Sequence, residues 1–308
     1  MKISIAMTTY NGGKYLREQL DSLWKQTLPA DEIIICDDGS DDETRQILKE
    51  FSKLQSEQVE IKIVENEENL GWKLNFRKAM QMCTGDYIFL SDQDDIWELS
   101  KIQEMTSVMQ KNKDILLLAS NYSLMIEDNS ENKKLPSEVR SNTGKVKKIN
   151  KFRYYGNVLR PGCTFCFRKE MLEMIRRDDN RDYGHDCILW HIALAKDSLW
   201  IYEKVLLRQR LHAEHSSRPT EEIGISRRMG EISRKITMCE YTNQVYNSEK
   251  GKNLVMADKM RTYYSKRYSL LKERKVPAAF FYNIANANKA PSVRAVMGDF
   301  YVLLKSKA

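Results

Sequence analysis

Three carboxylates follow a short apolar run near residue 90. The run Tyr-Ile-Phe-Leu at 87–90 has the length and the aromatic and β-branched content of a buried strand. Asp92, Asp94 and Asp95 are therefore predicted at the carboxyl end of that strand. The two-residue spacing of Asp92 and Asp94 can direct both side chains at one divalent cation, for which oxygen ligands are suited. The alternative is a solvated acidic turn that caps a helix beginning near Glu98.

The phosphate-binding motifs with a known signature are absent from the sequence. No G-x-G-x-x-G follows a predicted strand and no G-x-x-x-x-G-K-[ST] occurs, which argues against a dinucleotide oxidoreductase and a P-loop enzyme. An EF-hand is excluded because Trp97 stands at the sixth position counted from Asp92, where the loop requires glycine. A diphosphate bound here would need a metal ion to offset its charge, and the Asp92/Asp94 pair could hold that ion.

The elements around this cluster alternate between strands and helices. Strands are predicted at 3–7, 32–36, 59–64 and 87–90, and helices at 14–26 and 69–82, from apolar runs and helical spacing. The alternation predicts an α/β fold with a mainly parallel sheet, whose ligands bind beyond the carboxyl ends of the strands. A second acidic pair, Asp37 and Asp38, falls at the same edge. Ser40 and Glu43 have the spacing of a capping box for the helix that follows.

The composition is that of a folded chain. With 308 residues, of which 42% are hydrophobic, the protein can bury a substantial core. No apolar stretch approaches the ~18 residues of a membrane span and no signal peptide precedes the first strand, so we expect a cytoplasmic protein, at most peripheral on the inner face of the plasma membrane. Cys163 and Cys166 form a lone C-x-x-C, for which buried reduced thiols are expected and a zinc or redox site is the alternative.

Charge is distributed unevenly along the chain. Residues 1–100 carry 20 acidic and 11 basic side chains, whereas residues 201–308 carry 10 acidic and 21 basic ones. The stretch 223–275 is polar, basic and helical in pattern, and aromatic and apolar patches follow at 278–282 and 300–304. This region either packs as a helical subdomain or lies on an anionic bilayer, and the two can coexist.

Four motifs together resemble the family 2 glycosyltransferases of GT-A fold, in the bacterial branch that includes rhamnosyltransferases. They are Thr8-Thr9-Tyr10-Asn11-Gly12, Asp37-Asp38-Gly39-Ser40, Asn69-Leu70-Gly71 and Asp92-Gln93-Asp94-Asp95-Ile96-Trp97. They occur in the family's order, and the resemblance covers about the first 215 residues. It implies a GT-A domain at 1–216, with a Rossmann-like nucleotide-binding half at about 1–97 and an acceptor half at about 98–216. A basic helical region at 217–308 would follow.

The resemblance implies roles for residues of the first half. Thr8, Tyr10 and Asp38 would hold the base and ribose of a nucleotide, with Asp38 accepting a hydrogen bond from the base. Asp92 would face the ribose, and Asp94 would hold the Mn2+ or Mg2+ ion that bridges the two phosphates. The other motif residues assigned to the nucleotide are Thr9, Asn11 and Asn69.

The second half carries three further matches. The segment 160–165 is similar to the family's segment under the donor sugar, and Gly184-His185-Asp186 to the helix start that bears the catalytic base. Asp186 is the predicted base, with the adjacent His185 as the alternative. Arg210-Leu211-His212 resembles the late Arg-x-His element that meets the diphosphate, which assigns Arg210 to the nucleotide and His212 to the metal.

The implied reaction is an inverting transfer of a sugar from a dTDP- or UDP-linked donor, with rhamnose as the candidate sugar. The acceptor would be a hydroxyl of a growing bacterial surface polysaccharide or a lipid-linked glycan. A phosphohydrolase of the haloacid-dehalogenase type is one alternative, since it also ends a strand in Asp-x-Asp. However, that class expects Thr or Val where Ile96 stands. The other alternative, a nucleic-acid-binding protein, is suggested only by the basic tail, and no nucleic-acid partner is predicted.

Overall fold

The predicted alternation of strands and helices in the first hundred residues is confirmed. Its elements are β1 (Ile3–Thr9), α1 (Gly13–Trp24), β2 (Glu32–Asp37), α2 (Thr44–Ser52), β3 (Glu60–Glu65), α3 (Trp72–Met82) and β4 (Tyr87–Ser91). Every residue of β1, β2 and β4 is buried. Parallel strands covered on both faces have nearly continuous apolar sequences, which is why these strands can be located from sequence.

The computed structural model of the protein describes residues 1–54, 56–127, 135–150, 155–176, 183–212, 224–246, 252–290 and 293–305. After β4 follow β5 (Ile96–Trp97), α4 (Lys101–Lys111), β6 (Leu117–Ile126), α5 (Ser137–Arg140), β7 (Val146–Lys148), β8 (Phe165–Arg168), α6 (Glu170–Arg176), α7 (His185–Ala195) and β9 (Leu199–Leu211). The remaining helices are α8 (Ile225–Tyr246), α9 (Lys252–Lys272), α10 (Val276–Ala285) and α11 (Val293–Lys305). None of the described helices combines the length and the apolarity that a membrane crossing requires.

One sheet contains the nine strands found among the described residues, in the order β3-β2-β1-β4-β8-β6-β9-β5, with β7 paired to β9. The pairs among β3, β2, β1 and β4 are parallel, as predicted. Beyond β4 the sheet is mixed, because β8 runs antiparallel to both β4 and β6 while β6 and β9 are parallel. The parallel half therefore keeps the carboxyl ends of β1, β2 and β4 at one edge.

The chain divides into two compact units. The first comprises residues 1–148, 160–190 and 198–215, and contains the whole sheet. The second comprises residues 149–159, 191–197 and 216–308, so two short internal segments cluster with the C-terminal helices. Within the second unit α8 packs against α9, and α10 against α11.

The predicted capping box of α2 is wrong. The helix begins at Thr44, three residues later than a cap at Ser40 requires, and Glu43 is its N-cap residue. The Ser40 hydroxyl instead donates to Asp37 Oδ1 at 2.6 Å, inside the turn after β2. Asp42 serves the helix start, since its Oδ1 accepts from the Thr44 backbone N–H at 2.9 Å.

Candidate functional site

The strand register brings the sequence motifs to one edge of the sheet. Met7 of β1 lies opposite Ser91 of β4, and Thr9 opposite Asp37 of β2. The residues that follow these strands, including Asp38 and Asp92, therefore leave the sheet side by side. The Thr9 hydroxyl donates to Asp37 Oδ1 at 2.8 Å. Thr9, predicted to contact the nucleotide, therefore uses its hydroxyl to join the ends of β1 and β2.

Asp38 is buried and organises the loop before α3. Its Oδ1 accepts from Asn66 Nδ2 and from the Leu70 backbone N–H, both at 2.8 Å. Asn69 Nδ2 in turn donates to the Asp38 backbone carbonyl at 3.1 Å. The Asp38 and Asn69 motifs, predicted separately from sequence, thus form one hydrogen-bonded unit.

The loop after β1 is fixed by hydrogen bonds that leave the Tyr10 ring half exposed. Gln93 accepts from the Tyr10 backbone N–H at 2.8 Å and donates to its carbonyl at 3.0 Å. Asn11 adopts a left-handed backbone with φ of 46°, and its Oδ1 accepts from the Asp41 N–H at 2.9 Å. Tyr10 is 50% exposed, which leaves a flat aromatic face available at the edge where Thr8 lies.

Asp92 and Asp95 are neighbouring carboxylates, of which Asp92 is partly exposed and Asp95 is fully buried. Loss of hydration, more than the negative charge of Asp94, raises the pKa of Asp92 to about 7. The pKa of the fully buried Asp95 is raised well above its usual range for the same reason. One Asp95 oxygen accepts from the Arg210 backbone N–H at 3.1 Å, and the Cys163 thiol lies beside the same carboxylate.

Lys101 supplies a buried positive charge that acts electrostatically on Asp92 and Asp95. Its side chain is completely inaccessible, with Nζ 2.5 Å from the Cys163 carbonyl oxygen and 3.8 Å from the centroid of the Trp97 ring. Burial lowers the pKa of Lys101 to about 8, while the negative charges of Asp95 and Asp92 oppose that shift. The amine therefore remains mostly protonated at neutral pH.

The Arg210-to-His212 segment at the end of β9 meets the acidic loop directly. His212 Nε2 lies 2.8 Å from Asp94 Oδ2, and Arg210 Nε donates to the Asp94 carbonyl at 2.9 Å. The Arg210 guanidinium also forms ion pairs with Glu18 and Glu127. The structure thus brings together the two predicted metal ligands, and Arg210 already has two carboxylate partners.

His185 and Asp186 begin α7 but occupy different environments. His185 is buried and stacks on Phe76 with 3.9 Å between ring centroids, and burial lowers its pKa to about 4. Asp186 is partly exposed and accepts from the Cys187 N–H at 2.7 Å. Its charge also contributes to the raised pKa of Asp92, which places the two carboxylates within electrostatic reach of each other.

The close approach around Asp186 requires two glycines. A Cβ atom on Gly162 would lie 2.9 Å from His185 Nε2, and one on Gly184 would lie 2.6 Å from both Asp186 Oδ1 and the Trp72 ring. Glycine at both positions therefore lets the 160–165 segment and α3 approach the start of α7. The predicted donor-sugar segment and the predicted base are neighbours as a result.

The donor atoms at this edge fit a divalent cation. Asp94 and His212 offer a carboxylate oxygen and an imidazole nitrogen that lie 2.8 Å apart, and carboxylate oxygens suit Mn2+ or Mg2+. Ligand atoms of Asp92, Asp95 and Cys163 also lie within 4.8 Å of one another. Burial raises the pKa of the Cys163 thiol well above its usual range, so the sulfur stays protonated and is a poor ligand. A cation would also compensate the incompletely paired carboxylates.

Sequence reasoning missed the residues that support this site. Lys101 carries no motif signal, and the pairing of Arg210 with Glu18 and Glu127 joins distant parts of the chain. Gln93 lies within a motif, but nothing in the sequence shows that it binds the Tyr10 backbone. The one available signal was the position of Gln93 between Asp92 and Asp94.

Comparison with known proteins identifies the family. Residues 4–176 match the profile described as Glycosyl transferase family 2. An uncharacterized glycosyltransferase of Methanocaldococcus jannaschii is 29% identical over 212 residues, covering 68% of this chain and 70% of the relative. The dTDP-rhamnosyl transferase RfbG of Shigella flexneri is 28% identical over 207 residues, covering 64% and 68%. The Escherichia coli protein UDP-Glc:alpha-D-GlcNAc-diphosphoundecaprenol beta-1,3-glucosyltransferase WfgD is 34% identical over 128 residues, covering 42% and 48%.

Two solved structures share the fold. S. aureus TarS 1-349 in complex with UDP-GlcNAc superposes with a TM-score of 0.62 at 15% identity, covering 100% of this chain and 92% of that one. The mannosyltransferase PcManGT from Pyrobaculum calidifontis, in complex with GDP-Man and Mn2+, superposes with a TM-score of 0.54 at 13% identity, covering 88% of its chain. The predicted GT-A fold with C-terminal helices is thereby confirmed.

Proposed function

The chain belongs to glycosyl transferase family 2, and from that premise we propose that it transfers a sugar from a nucleoside-diphosphate donor to a hydroxyl of a surface polysaccharide or lipid-linked glycan. The observation that carries the proposal is the convergence of Asp38, Asp92, Asp94 and Asp186 around one sheet edge, with an imidazole on Asp94 and a partly exposed carboxylate at the start of α7. Family membership also favours this function over the phosphohydrolase and nucleic-acid alternatives.

In the proposed complex the nucleotide lies along the carboxyl ends of β1 and β2. The exposed ring of Tyr10 stacks on the base, and Thr8 and Asp38 contact base and ribose. Asn11 and Asn69 hold the two loops that flank this surface, as their hydrogen bonds to Asp41 and Asp38 indicate. Thr9 contributes through Asp37, not through a contact of its own.

We place a divalent cation at Asp94 and His212, with Asp92 beside it. When bound, such an ion neutralises the diphosphate and stabilises it as a leaving group. Arg210 holds the Asp94 backbone and lies next to the position of the diphosphate. It can reach a phosphate by exchanging its ion pair with the exposed Glu18. TarS and PcManGT, which share the fold, are described with nucleotide sugars, and PcManGT with Mn2+.

Asp186 is the proposed general base. It accepts the proton of the acceptor hydroxyl as the oxygen attacks the anomeric carbon, while the bond to the diphosphate oxygen breaks. A single displacement of this kind inverts the configuration at that carbon. His185 is the weaker candidate, since its ring is buried against Phe76 and its pKa of about 4 makes it a poor proton acceptor at neutral pH.

The identity of the sugar-nucleotide donor is the most specific part of the proposal. Similarity to a dTDP-rhamnosyl transferase supports rhamnose, and similarity to a UDP-Glc-dependent enzyme supports a UDP-linked alternative. The second relative's name also contains a diphosphoundecaprenol acceptor, which supports a lipid-linked glycan. A panel of sugar nucleotides, assayed for nucleoside diphosphate release with Mn2+ and with excess chelator, tests donor and metal together.

Asp94→Ala isolates the metal step. The variant should lose the thermal stabilisation that nucleoside diphosphate plus Mn2+ gives the wild type. Asp21→Ala, which removes an exposed carboxylate elsewhere in the first unit, should keep it. Unchanged nucleotide affinity in Asp94→Ala, or equal wild-type affinity in chelator, would contradict metal-assisted donor binding.

Asp186→Asn separates chemistry from binding. The amide keeps the shape and cannot accept the proton, so donor affinity should persist while transfer slows by ~10²–10⁴. His185→Phe is the matched variant, because phenylalanine preserves the stack on Phe76 and removes the ring nitrogens. If His185→Phe loses turnover while Asp186→Asn keeps it, histidine is the base.

A further inference from the structure

Helix α10 exposes a face made only of apolar side chains. Its exposed positions are Pro277, Ala278, Phe281, Ile284 and Ala285, which share one side of the helix. Phe281 is 69% exposed and Ile284 50%. A helix packed only against its own unit normally directs polar residues to the solvent, so this pattern is reversed.

Helix α11 repeats the pattern. Met297, Tyr301 and Leu304 are exposed at the spacing i, i+4 and i+7, with Tyr301 at 58%. Val302 and Leu303 on the other side are buried. The two exposed faces belong to one unit and follow each other along the chain.

Aromatic rings join the two helices. Phe280 contacts Phe281 of its own helix, with 5.7 Å between ring centroids, and Phe300 of α11, with 5.1 Å. Both Phe280 and Phe300 are themselves partly exposed. An aromatic path therefore runs from the exposed face of α10 to α11, which makes the two faces parts of one surface. Contiguous exposed apolar surface of this kind marks an interaction site.

The charge around this surface is mostly positive. From Glu273 to the end of the chain there are six basic residues and two acidic residues, Glu273 and Asp299. Asp299 is completely buried and paired with Arg267 at 2.7 Å and with Arg228 at 2.8 Å. Arg274 and Lys275 precede α10 and Lys305 ends α11, all three exposed. Lys275 pairs with the exposed Glu273 at 2.6 Å, and the net charge of the rim stays positive.

We propose that α10 and α11 form a docking surface for an anionic lipid bilayer. Apolar faces rimmed by cations match the acyl boundary and the negative headgroups of such a membrane. Helices of 10 and 13 residues are ~15–20 Å long, shorter than the ~30 Å hydrocarbon core, so they lie along the interface. The purpose of this surface, which is to bring the enzyme to a lipid-linked acceptor, rests on the proposed function. Its binding to lipid does not.

Vesicle partitioning tests the surface without any sugar substrate. The full-length chain should sediment with phosphatidylcholine vesicles that contain phosphatidylglycerol, less with phosphatidylcholine alone, and less as salt rises. Phe281→Ser and Tyr301→Ser should each weaken partitioning about tenfold, since each removes one buried aromatic from the interface. Lys275→Gln and Lys305→Gln should each weaken it about fivefold, and only for the anionic vesicles.

Leu99→Ser is the matched control. Leu99 is 52% exposed in the first unit, so the variant removes an exposed apolar side chain of similar size and should leave partitioning unchanged. An unaltered near-ultraviolet circular dichroism spectrum would show that each variant is folded. Turnover on a water-soluble acceptor should not change in Phe281→Ser, which separates failure of this proposal from failure of the proposed function.

Three outcomes overturn the assignment. The first is that the full-length chain ignores anionic vesicles at low salt. The second is that the Phe281 and Tyr301 variants bind like the wild type, so that the cations act alone. The third is that light scattering finds a dimer that Phe281→Ser converts to a monomer, which would make a second copy of the chain the occupant of this surface.

Discussion

Replacing Lys101 tests whether its buried positive charge stabilises the fold around the acidic residues Asp92 and Asp95. Replacement by methionine preserves the length of the side chain and its packing over Trp97, and removes the buried charge. The fully buried Asp95 then loses the electrostatic attraction of this amine. The Cys163 carbonyl also loses the Lys101 amine, which lies 2.5 Å away.

The expected loss in unfolding free energy is about 1–3 kcal/mol, the range for leaving a buried hydrogen-bond acceptor, here the Cys163 carbonyl, without its partner. Guanidinium unfolding at pH 7, followed by tryptophan fluorescence, measures it. Lys25→Met is the control, because it removes an exposed amine 2.8 Å from Asp21 at the i,i+4 spacing, and should cost only about 0.3–0.5 kcal/mol.

A double variant then identifies the cause. Asp95→Asn removes the negative charge, so Lys101→Met should cost less in that background, with a coupling of at least ~1 kcal/mol. A loss in Lys101→Met no larger than in Lys25→Met, or strict additivity with Asp95→Asn, would refute charge compensation by this lysine.

Three further predictions concern other parts of the chain. Burial alone would raise the pKa of Glu32, but hydrogen bonds from neighbouring groups lower it from 4.5 to about 2. The ionised Glu32 therefore stabilises the fold fully above pH 4.5, and this stabilisation is lost as the pH falls through about 2. The stability difference between wild type and Glu32→Gln should therefore narrow by about 2 kcal/mol from pH 6 to pH 3, and a constant difference would contradict the shift. A Cβ on Gly12 would lie 2.3 Å from Gln93 Oε1, so Gly12→Ala should displace that side chain, destabilise by about 1–2 kcal/mol and weaken nucleotide binding. Titration calorimetry should find the same loss of nucleotide affinity in Gln93→Ala, and no further loss of affinity in the double variant. Arg267→Met should lower the unfolding free energy of the second unit by about 1.5–3 kcal/mol, because buried Asp299 loses its hydrogen bonds to Arg267 and keeps Arg228. Unchanged hydrogen exchange in α9 and α11 would contradict this.

The first half of the fold was predictable because its strands are buried on both faces. Apolar runs of this kind mark β1, β2 and β4, and parallel pairing places their carboxyl ends together. The mixed half was not predictable in the same way. The antiparallel position of β8 between β4 and β6 depends on pairing between segments about eighty and fifty residues apart, which no local pattern records.

Local signals failed where a side chain had two possible partners. Ser40 and Glu43 have the spacing of a capping box, yet the Ser40 hydroxyl donates to Asp37, which its own turn brings closer. Lys101 follows Ser100 and is the first residue of α4, a position where lysine is usually solvated. Only the folded chain shows that this amine is enclosed by Trp97 and Cys163.

The neighbours His185 and Asp186 show why a motif alone could not choose the base. Both residue types can accept a proton, and their sequence positions differ by one. On the first turn of a helix one step along the chain rotates the side-chain direction by about 100°. His185 is therefore buried against Phe76, while Asp186 stays partly exposed. Burial then weakens the histidine as a base by lowering its pKa to about 4, and partial exposure leaves the carboxylate accessible to an acceptor. The assignment therefore depends on which face of α7 packs on Phe76, a property of tertiary packing that no spacing in the sequence encodes.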